Sequence, residues 1–504
     1  MESAVRRPRV LSLLVAAGAA APLVLLASPA QAARRAEPYD FDGNGRVELV
    51  VGAPGLEVAG HRAAGGVVVH RAGPHRKGKV LTQSTRKVVG ASETGDEFGS
   101  AVASADFDRD GYADLAVGQP GEDVGAALQG AGAVTILHGS GKGLRGRGSS
   151  KIIQPGGAHQ GASFGASLAV GDLNGDAYPD LAVGAPGDDV QAQEADFSAS
   201  GTVAVVFGGK DGLGTNDSRQ LHRVPGAVED QGFGSQMAVA DVDADGRADL
   251  VVLAPGHPNT EGERLRSAVS YCPGDDSGPT VCRRLVLGPG GARAIAVGNL
   301  QGDARPEIVL GVPTDNTDAE QSYLRVLVLT GSGAATSARD VHLEKHDLGL
   351  SAGKDEDFGG SGDFGWSLAV ADVDRDGYDD LAVSAPDESR PDGPASGRVA
   401  VVRGGLAGPG RTGNRWLDQD DPGVPGRSEY GDRFGEAVSL LDLDDDGRPD
   451  LTVGAPGEDE QSGRVTVLRG TRFGPTASRA RAVGFPQNQG FDPYPACLGA
   501  VVGR

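Results

Sequence analysis

The sequence predicts an all-β fold, a closed ring of seven small four-stranded sheets, and three observations carry that expectation. One acidic nine-residue unit recurs along the chain at intervals of roughly 60 to 70 residues. A Phe-Gly pair precedes most copies, and a Gly-Ala-Pro type turn follows each one. Between these marks lie short Val-rich runs such as Thr202 to Phe207 and Arg464 to Leu468, without helical periodicity. A lone four-stranded sheet cannot bury both of its faces, whereas sheets stacked side by side around an axis bury them on one another. The fold class is therefore a seven-bladed β-propeller of four-stranded blades, and a hydrophobic content of 38% suffices for its thin, distributed core.

At the N-terminus, Arg6-Arg7-Pro8-Arg9, the apolar run Val10 to Ala27 and Ala30-Gln31-Ala32 make up the three regions of a secretory signal peptide. Residues 1–32 are expected to be removed, leaving residues 33–504 as the propeller, with loops beginning near 40, 106, 172, 241, 299, 372 and 442. No other apolar run is long enough to span a bilayer, so the expected mature chain is secreted, without a membrane span. The first loop begins so soon after residue 32 that its blade lacks a leading strand. The apolar segment Cys497-Leu498-Gly499-Ala500-Val501-Val502 is expected to supply that strand and close the ring.

Each loop carries carboxylates or amides at positions 1, 3, 5 and 9. They are Asp40, Asp42, Asn44 and Glu48 in the first copy, and Asp106, Asp108, Asp110 and Asp114 in the second. The third and fourth supply Asp172, Asn174, Asp176 and Asp180, then Asp241, Asp243, Asp245 and Asp249. The sixth and seventh supply Asp372, Asp374, Asp376 and Asp380, then Asp442, Asp444, Asp446 and Asp450. Alternate side chains of a tight turn converge on one point, and Gly at position 6 permits the left-handed backbone that closes it. Hard oxygen donors crowded in this way suit Ca2+, and about five or six ions are expected. An EF-hand would need Glu at position 12. That position is apolar throughout: Val51, Val117, Val183, Val252, Leu310, Val383 and Val453.

The fifth copy departs, with Asn299, Gln301 and Ala304 in a unit that ends at Glu307, and it is expected to bind metal weakly or not at all. Ala177 replaces Gly in the third copy. A single Asp-Gly is usually a turn former, but the same four offsets repeated copy after copy argue against turn chemistry alone. The loop carboxylates are numerous enough to account for the formal charge of −22, and that balance argues against a nucleic-acid partner, which needs a basic face.

Two catalytic-looking strings are structural. Gly161-Ala162-Ser163-Phe164-Gly165 fits a nucleophile elbow, yet Ser163 stands at a repeat position occupied elsewhere by Glu97, Gly232, Asp363 and Arg433. Gly141 to Gly146 fits a dinucleotide fingerprint, but no helix follows and similar turns recur at Gly208 to Gly214 and Gly404 to Gly410. Cys272 and Cys282 flank a Pro-Gly turn and are expected to pair in an oxidising compartment, with Cys497 left over as a small core residue. No Cys or His cluster has zinc spacing.

The order Phe-Gly, Asp-x-Asp-x-Asp-Gly-x-x-Asp, Gly-Ala-Pro resembles the FG-GAP repeats of integrin alpha subunits, over essentially all of Asp40 to Arg504. The resemblance implies a seven-bladed propeller, Ca2+ in the loop between the first two strands of some blades, and backbone carbonyl ligands at position 7. Those residues are Arg46, Tyr112, Tyr178, Arg247, Tyr378 and Arg448. Similar repeats occur in secreted bacterial proteins, and the chain resembles those more, since it lacks an integrin's stalk domains and membrane segment.

The expected function is that of a secreted, monomeric calcium-binding module for adhesion to an extracellular protein or carbohydrate ligand. The alternative is a propeller hydrolase or lyase acting on an extracellular polymer or lipid. Specificity is expected in the insertions Gln191 to Ser200, Glu344 to Ser361 and Arg411 to Tyr430, because a repeated framework cannot encode it.

Overall fold

In the computed structural model, residues 35–504 form one compact unit. The structure describes residues 36–71, 78–188, 200–214, 218–222, 232–255, 267–288, 291–313, 322–330, 337–350, 363–388, 396–484 and 501–502. The expected signal peptide, Cys497 and the insertions at 191–199 and 351–361 lie outside the described residues.

Seven four-stranded antiparallel sheets follow one another along the chain, each strand pairing with the next in sequence. Blade two runs Ala101–Ala105, Asp114–Gln119, Ala133–His138 and Arg145–Ile152 from inside to outside. Blades three and four begin at Ser167–Gly171 and Gln236–Ala240, and blades five, six and seven at Ala294–Gly298, Leu368–Ala371 and Val438–Leu441. Neighbouring first strands contact one another in that order, so they line the axis. Blade one is the exception: its inner strand is Val501–Val502, antiparallel to Leu49–Ala53 with Val51 opposite Val502. The end of the chain thus supplies the strand that the beginning lacks, and it sits between the first strands of blades seven and two.

The second strand of every blade is fully buried, as Asp114–Gln119 and Asp180–Ala185 illustrate, because both of its faces meet other blades. Phe98, Phe164, Phe233, Phe364 and Phe434 are each 0% exposed. Phe164 packs with Ile136 and Ile152 of blade two and with Leu181 and Val183 of blade three, wedged between the two blades. Blade five has Gly291-Ala292 in place of Phe-Gly, and Ala292 packs with Ile295 and Leu310. Cys272 and Cys282 are disulfide-bonded across the outer strands of blade four. Among the described residues no helix is long and apolar enough to cross a membrane.

Candidate metal centres

In blades two to seven the acidic loop joins the first strand to the second, and in blade one it leads into the second strand, Leu49–Ala53, so all seven open at the same end of the propeller. The turn is built by the position 1 carboxylate, which accepts the backbone N–H groups of positions 5 and 6. Asp40 takes Asn44 N and Gly45 N at 3.0 and 2.8 Å, and Asp106 takes Asp110 N and Gly111 N at 2.9 and 3.1 Å. Asp241, Asp372 and Asp442 repeat the pair, and Asp172 accepts Ala177 N at 2.8 Å. Gly111 at position 6 has φ +90°, and Ala177 holds the left-handed conformation without glycine's freedom, at φ +74°.

Position 9 opens the second strand and is tied at both ends. Asp180 accepts Leu173 N at 2.8 Å and Gly208 N at 2.9 Å, and Asp249 accepts Val242 N and Gly274 N at 3.0 Å each. Burial pushes these carboxyls up, Glu48 and Asp180 to about 7, and Asp249, Asp380 and Asp450 to about 6. The neighbouring loop carboxylates add repulsion.

The carboxylates converge as their spacing required. Asp40, Asp42 and Glu48 bring ligand oxygens within 4.8 Å of one another, as do Asp106, Asp108 and Asp110, then Asp241, Asp243 and Asp249, then Asp372, Asp374 and Asp380. Buried oxygens in these loops lack hydrogen-bond partners: Glu48 Oε1, Asp114 Oδ2, Asp172 Oδ1 and Asp374 Oδ1. A buried anionic oxygen without a donor costs free energy, and a divalent cation bound there would offset it. The all-oxygen donor set fits Ca2+.

The fifth loop is assembled differently. Asn299 Nδ2 donates to the Asp303 carbonyl at 2.7 Å, replacing the carboxylate that elsewhere gathers backbone N–H groups. Burial pushes its last carboxyl, Glu307, up to about 7.

Four loop partners were not legible as site residues in the sequence. Arg403 NH1 lies 2.9 Å from Asp374 Oδ2 and 2.8 Å from Asp380 Oδ2, inside the sixth loop. Arg469 reaches Asp444 and Asp446 of the seventh at 2.8 and 3.0 Å. His138 Nδ1 stands 3.3 Å from Asp114 Oδ1 in the second, and Tyr271 Oη donates to Asp243 at 2.9 Å in the fourth. The first three occupy one repeat position. Each ends or directly follows the third strand, just before the residue whose N–H ties position 9: Gly404, Gly470 and Gly139. The same position holds Phe207 and Pro273 in blades three and four. The register of the third strand aims it at the loop, a signal available only by aligning the blades to the following glycine.

Position 7 also links blades. Tyr112 packs beside Gly43 of the first loop, Tyr378 beside Gly302 of the fifth, and Arg109 lies over the Tyr178 ring at 5.0 Å. Arg46 of the first loop meets Asp445 of the seventh at 3.6 Å.

The FG-GAP repeat family matches at residues 98–137, 164–206, 233–264, 364–402 and 434–468. These spans fall in blades two, three, four, six and seven. The two unmatched blades are the one closed by the C-terminus and the one with Gly291-Ala292 in place of Phe-Gly. Human phosphatidylinositol-glycan-specific phospholipase D is 28% identical over 401 residues, 73% of this chain and 43% of that protein. Human integrin alpha-IIb is 35% identical over 300 residues, 59% of this chain and 20% of that protein. The chain thus spans less than half the length of these relatives. A rhamnogalacturonan lyase from Bacillus licheniformis superposes with a TM-score of 0.31 at 13% identity, over 74% of this chain and 73% of that one, too loosely to bear on function. With seven four-stranded blades and five matched repeats, the chain is an FG-GAP-repeat β-propeller.

Proposed function

We propose that this propeller is a secreted module whose blades are pinned by Ca2+ and whose opposite end binds an extracellular protein or glycan. The observation that carries the cation reading is the set of buried loop oxygens without partners, Glu48 Oε1, Asp114 Oδ2, Asp172 Oδ1 and Asp374 Oδ1. Carboxylates at positions 1, 3, 5 and 9 would hold the ion, and it would supply counter-charge to groups that burial makes costly to ionise. The residues themselves gather backbone donors, fix the entry to the second strand and link each loop to the next blade.

Antiparallel topology puts the connections between second and third strands at the end away from the acidic loops. These connections vary from blade to blade, as a specificity surface must, while the repeated loops do not. Similarity to an integrin alpha subunit supports a binding role. Similarity to a phospholipase covers less than half of that protein and leaves its activity a separate question.

The test is binding of the purified chain to immobilised extracellular-matrix proteins and a glycan array, in Ca2+ and in EDTA. Saturable binding that chelation weakens supports the reading. Absence of binding to either class, or binding indifferent to chelation, overturns it.

A further inference from the structure

We infer that the second loop is a site of a different kind, in which His138, Asp108 and Asp114 take a borderline transition cation of the Zn2+ class. This rests on the loops being cation sites, and it concerns which cation one of them selects.

The position that ends the third strand decides what faces each loop. An arginine there brings a guanidinium into the carboxylate cluster, as Arg403 and Arg469 do. Phe207 and Pro273, which stand there in blades three and four, offer no ligand atom. Only His138 offers an imidazole nitrogen among the described occupants of this position. Its ligand atom and those of Asp108 and Asp114 all lie within 4.8 Å of one another.

The separation of His138 Nδ1 from Asp114 Oδ1 is 3.3 Å. A tetrahedral site with arms of about 2.0 to 2.2 Å has edges of nearly this length, and one nitrogen with two carboxylates is a zinc-type donor set with a further position open. Asp114 differs from its counterparts in a second respect. Asp180 and Asp249 use Oδ2 to accept the N–H of position 2, from Leu173 and Val242. Asp114 Oδ2 has no partner, in a residue only 1% exposed. The second loop therefore keeps a buried carboxylate oxygen free on the residue that meets the imidazole, where Asp180 and Asp249 spend it on the backbone.

The experiment titrates the purified chain with ZnCl2 and then CoCl2 by calorimetry and visible absorption, with saturating Ca2+ present, alongside His138→Phe and His138→Gln. Phenylalanine occupies the equivalent place in blade three, so the first variant has a precedent within the fold. The wild-type protein should show one Zn2+ site that both variants weaken by about tenfold or more. The Co2+ complex should show ligand-field bands that the variants lose, and Ca2+ binding at the other loops should persist. If the variants bind Zn2+ as tightly as the wild type, or if Ca2+ binds and Zn2+ does not, this inference fails while the calcium reading stands. If neither ion binds, both fail together.

Discussion

Arg403 and Asp380 form an internal ion pair at the mouth of blade six, NH1 to Oδ2 at 2.8 Å, with the carboxylate fully buried. The same nitrogen lies 2.9 Å from Asp374, so the sixth loop carries its own counter-charge. Replacing Arg403 with Gln should leave these carboxylates uncompensated and cost about 2 kcal/mol in EDTA. In Ca2+ the loss should shrink, and the calcium affinity of this loop should rise. Thermal unfolding in the two conditions, with calorimetric stoichiometry, checks it; an equal loss in both would contradict the account.

Phe164 fills the seam between blades two and three. Truncation to Ala opens a cavity that two facing sheets cannot close, and the expected cost is about 3 to 5 kcal/mol in chemical unfolding. A loss under about 1 kcal/mol, the size of a well-tolerated core change, would mean that the seam is not a stabilising contact.

Gly118 approaches the neighbouring blade so closely that a Cβ would fall on the Gly165 carbonyl oxygen. Gly118→Ala should therefore separate blades two and three and destabilise by about 1 to 3 kcal/mol, although alanine has the better intrinsic backbone propensity. Denaturant melts of the two proteins decide it, and an unchanged midpoint would show that the blades yield freely.

Ring closure makes its own demand. The last paired residues, Val501 and Val502, lie opposite Gly52 and Val51, and no other strand among the described residues covers that edge of blade one. Deleting residues 490–504 should sharply lower the melting temperature and increase self-association, since an open sheet edge pairs readily. A truncated chain that melts with the parent and stays monodisperse would refute the closure.

The loops, the Phe wedges, the C-terminal closing strand and the Cys272–Cys282 pair were legible because each depends on a periodic or local signal. Asp106 and its counterparts announce themselves by offset alone. Arg403, Arg469, His138 and Tyr271 were not legible. They sit on third strands far along the chain from the carboxylates they meet, and only the hairpin register brings them there. The fifth loop's departure showed in Asn299 and Ala304, but its replacement bond, Asn299 Nδ2 to the Asp303 carbonyl, required the structure.

At the opposite end, Asp96 is buried and its carboxyl is pushed up to about 7 by burial, with Glu122 and Glu93 repelling it. In an unfolded chain it ionises near pH 4. The folded state therefore holds the proton more tightly, so this contribution to stability is full below about pH 4 and is lost as the pH rises to about 7. Asp96→Asn removes the titration, and the fall in stability from pH 5 to pH 8 should shrink by about 2 to 3 kcal/mol. Melting curves across that range test it, and an unaltered slope would exclude Asp96 as the cause.

The most direct measurement is calcium titration of the purified, metal-stripped protein at neutral pH, paired with melting curves in Ca2+ and in EDTA. The account predicts binding heat at several sites and a melting temperature that drops on chelation, because the crowded loop carboxylates then lose the cation that offsets their mutual repulsion. No heat, together with superimposable melting curves, would contradict it.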